Sequence, residues 1–217
     1  QVMANTILTG KYTCASCVIG CGRVVKIEDG PFASVNGGGP EYEACGSLGT
    51  MCLVDDLEAI AKGNELCNRY GVDVISAGAA VAFAMECFEK GLINITDTEG
   101  IKLEWGNAKA MIDMIHKIGK REGIGYLLGE GVKIASQKIG GNSSDFAVEV
   151  KGLEPPMHDA RALGSFGVAY PTYPRGACHR GCNHYIERNA FPEFGLNEPI
   201  DSREDRGKGI GVAIMQD

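Results

Sequence analysis

Three cysteines lie close together near the start of the chain. In "YTCASCVIGCGRVV", at residues 12–25, Cys14, Cys17 and Cys21 follow the spacing C-x-x-C-x-x-x-C. Three thiolates this close can bind one inorganic cluster, whereas a structural zinc ion usually takes its ligands from two separated pairs. The spacing therefore favours a [4Fe-4S] cluster, with a zinc knuckle or inert buried cysteines as the alternatives. Arg23 would then favour the reduced cluster by its charge, unless it is a solvated surface cation.

A cubane cluster needs a fourth ligand, which the spacing does not identify. The other cysteines are the candidates: Cys45, Cys52, Cys67, Cys87, Cys178 and Cys182. Cys67 falls on a helix face with a core pattern and Cys87 follows an apolar run, so both are interpreted as core residues. The close pair in "ACHRGC" also permits a second metal site of Cys178, His179 and Cys182, although no further ligand pair accompanies it.

Composition narrows the class of protein. The chain has 217 residues, of which 44% are hydrophobic and 23% charged, with a net charge of -7 and nine cysteines. These values are typical of a globular protein with a substantial core, and the acidic balance argues against a nucleic-acid partner. The longest apolar stretch, residues 74–85, is shorter than the roughly 20 residues that cross a bilayer, so no membrane is expected. Because no export signal is visible, we expect the cytoplasm, where clustered thiols bind metal.

Helical periodicity dominates the middle of the chain. Apolar residues recur at helical spacing in four segments, with Asp55, Ser76 and Asn107 as predicted N-terminal caps and a fourth helix within residues 126–141. The helix that begins at Ser76 is apolar nearly all round, which predicts a central, buried position.

Two other segments have different patterns. Residues 146–152 alternate apolar and polar side chains as a short strand does, and residues 153–185 are rich in Pro and Gly without a long period, which indicates a long functional loop. We therefore predict a mainly α fold, with multihelical domains, a long irregular loop region and at most minor β structure. Residues 1–150 are expected to form a helical domain that contains the cysteine loop, and residues 151–217 the start of a second, truncated helical domain.

Six blocks resemble the tungsten-containing aldehyde ferredoxin oxidoreductase family. They occur in the family's order over about residues 9–190: "CASCVIGCGR", "GGGPEYEACGSLG", "LCNRYGVDVISAGAAVAFAMECFEKGLI", "LGEGVKIASQKIGG", "VKGLEPPMHDAR" and "RGACH". The resemblance implies tungsten held by two pterins (tungstopterin), a nearby [4Fe-4S] cluster, and a longer chain that opens with a β-rich pterin-binding domain.

The resemblance also implies roles for individual residues. Cys14, Cys17 and Cys21 correspond to three cluster ligands, and the fourth family cysteine lies in a C-terminal segment that this chain lacks. The sequence "NRYGVD" resembles one of two pterin-binding loops of the form D-x-x-G-L-D/C. The residues expected to bind the pterin are Asn68, Gly71, Val72 and Asp73. Asn stands where Asp is common and Val where Leu is common.

Two residues resemble the family's catalytic pair. Glu43, the last residue of "GPEYE", resembles the carboxylate beside the tungsten, and His179 of "RGACH" resembles the imidazole that faces it. From the residues alone, Glu43 can equally be a loop carboxylate that accepts backbone hydrogen bonds, and His179 a packed or solvated imidazole. Glu41 is the neighbouring alternative to Glu43. His158 and His184 are interpreted as structural.

The implied function is oxidation of a small aldehyde to a carboxylic acid, with ferredoxin as the electron acceptor. We expect the full-length protein to be a homo-oligomer and these residues alone to be inactive. A tungsten-dependent aryl-coenzyme A reductase with the same architecture is one alternative. A non-catalytic iron-sulfur or zinc-binding module is the other.

Overall fold

The computed structural model describes residues 1–182 and 184–216 and divides the chain into two units, Gln1–Ala147 and Val148–Asp217. The prediction of a mainly α fold with minor β structure is confirmed.

The first unit opens with α1 (Val2–Asn5) and an antiparallel sheet of β1 (Leu8–Tyr12), β2 (Gly22–Ile27) and β3 (Val35–Gly38). Tyr12 pairs with Gly22, so residues 13–21 form the loop of the β1–β2 hairpin. The sequence pattern did not predict these strands. In β1, "LTGKY" offers little apolar alternation, and the glycines around β3 are more typical of an irregular turn.

Helices form the rest of the first unit. Helix α2 (Tyr42–Ala44) continues into a π-helical segment, Cys45–Thr50. The remaining helices are α3 (Leu57–Tyr70), α4 (Val74–Glu89), α5 (Ala108–Lys120), α6 (Ile124–Leu128) and α7 (Val132–Ile139). Helix α4 is the predicted central helix, since every residue from Ala77 to Met85 is buried.

Two predicted helix starts were wrong by a few residues. Asp56, rather than Asp55, caps α3, because its carboxylate accepts hydrogen bonds from the amides of Glu58 and Ala59 at 2.9 and 3.1 Å. Asp73, rather than Ser76, caps α4, and its Oδ2 accepts a hydrogen bond from the Ser76 amide at 3.0 Å. A capping carboxylate precedes the amides that it satisfies by two or three residues.

The helix predicted within residues 126–141 is two helices, α6 and α7. The break falls at Gly129 and Gly131, which flank Glu130, and glycine is a poor helix former. The predicted cap of α5 is confirmed, because the Asn107 side chain accepts a hydrogen bond from the Ala110 amide at 3.0 Å.

No single described helix is long and apolar enough to cross a bilayer. The pair α3 and α4 meets the length and composition criteria only together, and it bends by 118°.

The second unit contains α8 (Gly164–Thr172) and α9 (Lys208–Gln216), with short 3₁₀ turns between them. Its core consists of Phe166, Ala169, Tyr170, Ala177, Cys182, Ile186 and Val212. The strand predicted at residues 146–152 was wrong, since the described residues there form only an isolated bridge between Val150 and Leu153. Helix α8 lies within the predicted loop. Pro171 and the glycines of "GSFGVAYPT" hide its helical pattern.

Candidate functional site

The loop of the β1–β2 hairpin carries the three predicted cluster ligands. Cys14 and Cys21 are exposed, and Cys17 is half-buried. The amide of Cys17 donates a hydrogen bond to the carbonyl of Cys14 at 3.0 Å, and Ser16 between them has a φ of 61°, so the first two thiols lie on one tight turn. Thiolates are soft ligands that bind iron-sulfur clusters. Three accessible thiols on one short loop therefore fit three of the four ligands of a cubane cluster.

Arg23 of β2 joins this hairpin to the segment before α2. Its Nη1 donates a hydrogen bond to Oε2 of Glu41 at 2.6 Å. This hydrogen bond is the main cause that raises the pKa of Arg23, and the charge of Glu41 adds to it, while burial acts in the opposite direction. Arg23 is therefore a permanent positive charge, two residues after Cys21 in the sequence.

Glu43 lies two residues after Glu41. It is half-buried in α2, immediately before the π-helical segment Cys45–Thr50. Such segments are rare and occur frequently at functional sites.

The π-helical segment packs closely on the start of α4. The fully buried Ser47 donates a hydrogen bond from Oγ to the carbonyl of Val74 at 3.1 Å. A Cβ on Gly78 would lie 2.6 Å from the Cβ of Ser47 and 2.7 Å from its backbone oxygen. Glycine at position 78 thus permits an approach that a larger residue would prevent, and it fixes the segment that follows Glu43 on α4.

The predicted pterin loop is the turn between α3 and α4. Gly71 ends α3 with a φ of 68°, and its amide donates a hydrogen bond to the Asn68 carbonyl at 3.3 Å. Val72 packs on the core, whereas Asn68 and Asp73 are exposed. An exposed amide and carboxylate beside a tight turn fit the polar edge of a pterin. Asp73 also has a structural role, because it caps α4.

The other cysteines of the first unit have a different environment. Cys52, Cys67 and Cys87 are buried, and burial raises the pKa of each thiol to about 12. The half-buried Cys45 has a pKa that is raised by burial and lowered in part by Arg23. Because the thiolate is the form that binds metal, the three buried cysteines are core residues. This confirms the prediction for Cys67 and Cys87.

The second unit contains the predicted imidazole. His179 is half-buried at the start of the 3₁₀ turn His179–Gly181. Its ring lies parallel to that of His158, with centroids 5.0 Å apart and an interplanar angle of 6°. Two residues of α8 hold His158: the Phe166 ring meets it edge-on at 5.5 Å, and the Tyr170 hydroxyl donates a hydrogen bond to its carbonyl at 2.7 Å.

The stacking of His158 on His179 is a contact that the sequence does not indicate. The sequence interpretation of His158 as structural rests on the lack of a motif spacing to another residue, and the folded chain pairs its ring with that of His179. Cys178, His179 and Cys182, the residues of the alternative second metal site, lie at one 3₁₀ turn, with both thiols buried and the imidazole half-buried, and this site stays a prediction. The side chain of His184 lies outside the described part of the structure.

Contacts within the first unit thus link the cysteine loop, the segment of Glu43 and the predicted pterin loop. The Arg23–Glu41 ion pair joins the cysteine hairpin to the segment of Glu43, and the Ser47–Val74 hydrogen bond joins that segment to the helix capped by Asp73. The catalytic and pterin-binding roles of Glu43, His179, Asn68, Gly71, Val72 and Asp73 stay predictions.

Known proteins are similar to this chain in sequence. The family model described as "Aldehyde ferredoxin oxidoreductase, domains 2 & 3" matches residues 1–217. The tungsten-containing aldehyde ferredoxin oxidoreductases of Pyrococcus horikoshii and Pyrococcus furiosus are each 37% identical over 82% of this chain. A WOR-like subunit of aliphatic sulfonate oxidoreductase from Pyrococcus furiosus is 31% identical over 75% of this chain and 27% of its own length. The chain spans about 29% of the length of the first two relatives.

A solved structure shares the fold. The active-site complex BamBC of benzoyl coenzyme A reductase, bound to 1,5-dienoyl-CoA, matches with a TM-score of 0.64 and 24% identity over 76% of this chain and 25% of that one. This identity supports a statement about the fold alone. The family model, by contrast, covers all 217 residues, and curated relatives exceed 30% identity over most of them. The chain therefore belongs to the aldehyde ferredoxin oxidoreductase family.

Proposed function

We propose that the full-length protein is a tungstopterin oxidoreductase that oxidises an aldehyde to a carboxylic acid and passes the electrons through a [4Fe-4S] cluster to ferredoxin. The observation that carries this proposal is the family match over residues 1–217. The names of the curated relatives support tungsten, an aldehyde and ferredoxin. Because the chain spans about 29% of those relatives, the activity belongs to the whole protein, and we expect the 217 residues alone to be inactive.

The reaction takes an oxygen atom from water. An aldehyde and a water molecule become a carboxylic acid, two protons and two electrons, and ferredoxin accepts the electrons. The tungsten centre, when bound, supplies the two-electron oxidation. The side chains of this chain would manage the protons and position the substrate.

We assign a proton transfer to Glu43 and the polarisation of the substrate to His179. A carboxylate oxygen of Glu43 accepts a proton from the reacting water, and a ring N–H of His179 donates a hydrogen bond to the aldehyde oxygen. A positioned acid or base of this kind contributes about 10²–10⁴-fold to a rate. The half-burial of both side chains agrees with these roles, because it limits competition from water while leaving each side chain accessible.

Cys14, Cys17 and Cys21 would hold the cluster as three of its four ligands. One pterin would be held by the loop residues Asn68, Gly71, Val72 and Asp73, with Asn68 and Asp73 contributing the polar contacts.

A metal analysis of the full-length protein tests whether it contains both the tungsten centre and the iron-sulfur cluster. Tungsten together with four irons per chain is expected, whereas iron alone would indicate an electron carrier and zinc alone a scaffold.

Turnover of the full-length enzyme tests the catalytic assignment. We expect Glu43→Gln and His179→Ala each to lower kcat by about 100-fold or more, with tungsten and iron contents unchanged. Glu28→Gln is a matched control, because Glu28 is an exposed carboxylate of the same unit. Unchanged rates in both site variants would remove these residues from the site.

Assays of the full-length enzyme with different substrates identify the substrate class. The substrates are short aliphatic, aromatic and sugar-derived aldehydes, an aliphatic sulfonate and an aryl-coenzyme A thioester. Turnover of only the last two would overturn aldehyde oxidation.

A further inference from the structure

The sheet places a cation directly after the third thiol of the cysteine loop. Strand β2 begins at Gly22, and Arg23 follows Cys21 by two residues. An extended chain rises about 3.3 Å per residue, so the two Cα atoms lie within about 7 Å of each other. The register of the hairpin, in which Lys11 pairs with Arg23 and Tyr12 with Gly22, holds this backbone in place.

The charge of Arg23 is balanced by one carboxylate. The distance of 2.6 Å from Nη1 of Arg23 to Oε2 of Glu41 is a direct ion pair, and the side chains remain 36% and 58% exposed. Glu41 is exposed and comes from outside the hairpin, immediately before α2. The net charge beside the cysteine loop therefore depends on both partners of this ion pair.

We propose that the Arg23–Glu41 ion pair sets the reduction potential of the cluster held by Cys14, Cys17 and Cys21. Arg23 stabilises the reduced cluster, and Glu41 limits that stabilisation. The inference rests on the cluster of the proposed function and goes beyond it, because it assigns the tuning charges to two residues that bind neither metal nor substrate.

The physical basis is the change in charge on reduction. A one-electron donor such as dithionite adds one negative charge to the cluster and its thiolates, and a nearby positive charge lowers the energy of that state. Loss of Arg23 removes the attraction and also leaves the charge of Glu41 unbalanced. Loss of Glu41 leaves the charge of Arg23 unbalanced. The two single variants must therefore shift the potential in opposite directions, and the double variant must lie near the original value.

The same strand provides a matched control. Lys26 of β2 forms an ion pair with Glu28 at 2.5 Å, and these side chains are 45% and 69% exposed. Lys26 lies further along β2 from Cys21 than Arg23 does, and successive side chains of a strand point to opposite faces. Lys26→Gln thus removes an equivalent surface charge from the same unit at a greater distance from the thiols.

The experiment is a redox titration of the anaerobic full-length enzyme, followed by electron paramagnetic resonance of the reduced cluster. We expect a more negative midpoint potential for Arg23→Gln, a more positive one for Glu41→Gln, and a value near that of the unmodified enzyme for the double variant. Lys26→Gln should leave the potential unchanged, and Arg23→Lys should recover most of the Arg23→Gln shift. Iron content should be equal in all five variants.

Three results would overturn the inference: shifts of the same sign in the two single variants, no shift in either, or an equal shift in Lys26→Gln. If Arg23→Gln loses iron, Glu41→Gln decides the question, and a potential that is not more positive than that of the unmodified enzyme would overturn the inference. Failure of the proposed function has a different signature, namely an unmodified enzyme without iron or a Cys17→Ser variant that retains all of it.

Discussion

The cysteine hairpin and the helical core of the first unit contain the same residue type in opposite environments. Cys14 and Cys21 are exposed in the loop of the β1–β2 hairpin, whereas Cys52, Cys67 and Cys87 are buried and have pKa values raised to about 12. Burial disfavours the thiolate, and exposure leaves the sulfur available to metal. Spacing predicts which cysteines can act together, and environment determines which of them can be ligands.

The two regions also differ in how they are fixed. The hairpin loop depends on its sheet and on the Arg23–Glu41 ion pair, and exposed ion pairs contribute little to stability. The core around Ser47 and Gly78 is fixed by close packing that leaves no room for a methyl group. We therefore expect changes in the hairpin to affect cofactor content, and changes in the core to affect folding.

The largest predicted difference is between two cysteine-to-serine variants of the full-length protein. Cys17→Ser should lose most of the cluster iron with little change in stability. Cys67→Ser should retain the iron and lower the free energy of unfolding by about 1–3 kcal/mol, because it buries a hydroxyl group in an apolar site. Iron analysis and urea-induced unfolding measure the two effects. Equal iron loss in both variants would contradict the distinction between exposed ligands and buried core thiols.

A second pair of variants tests the close packing. Gly78→Ala should lower the free energy of unfolding by about 1–3 kcal/mol, since the added methyl group would meet the backbone of Ser47. The matched control is Gly209→Ala in α9, where a Cβ would meet no atom within 4 Å, and the change should be neutral or stabilising by up to about 1 kcal/mol. Circular dichroism during denaturant-induced unfolding compares the two. An unchanged midpoint for Gly78→Ala would mean that the π-helical segment adjusts freely.

Sequence periodicity predicted the core better than the edges of the fold. Helices α3, α4 and α5 have long apolar patterns, so their existence and burial were predictable. The wrong caps, Asp55 for Asp56 and Ser76 for Asp73, concern only where each helix begins. The short strands around the cysteine loop gave no such signal, because their order comes from pairing with neighbouring strands. Helix α8 was missed for a related reason, since tertiary packing outweighs its glycines and its proline.

In the candidate site, too, the features formed by neighbouring residues were predictable and the contacts between distant residues were not. The cysteine motif is local, so its spacing alone indicated a metal cluster. The Arg23–Glu41 ion pair, the contact between Ser47 and Gly78, and the stacking of His158 on His179 join residues that are distant in the sequence. No single-sequence pattern predicts such pairs, because they depend on how the elements pack.

The smallest predicted effect concerns the stacked rings of His158 and His179. His158 lies in an irregular segment that side chains of α8 hold in place. If His158 positions His179 by stacking, His158→Ala removes a contact between rings of the kind that contributes about 0.5–1.5 kcal/mol. In the full-length enzyme kcat should then fall about twofold to twelvefold. The KM should change little if His179 acts mainly in the transition state. Steady-state assays at matched tungsten content measure both constants.

The replacement that retains a ring distinguishes stacking from proton transfer by His158 itself. His158→Phe preserves a flat face toward His179 and should restore kcat close to that of the unmodified enzyme. Tyr170→Phe, which removes the hydrogen bond to the His158 carbonyl and keeps the ring, should have a smaller effect than His158→Ala. If the Phe variant is as slow as the Ala variant, His158 acts through its ring nitrogens. In that case the contacts from Phe166 and Tyr170 of α8 would hold in place a second imidazole that takes part in the reaction, and stacking on His179 would not explain the effect of His158 on kcat.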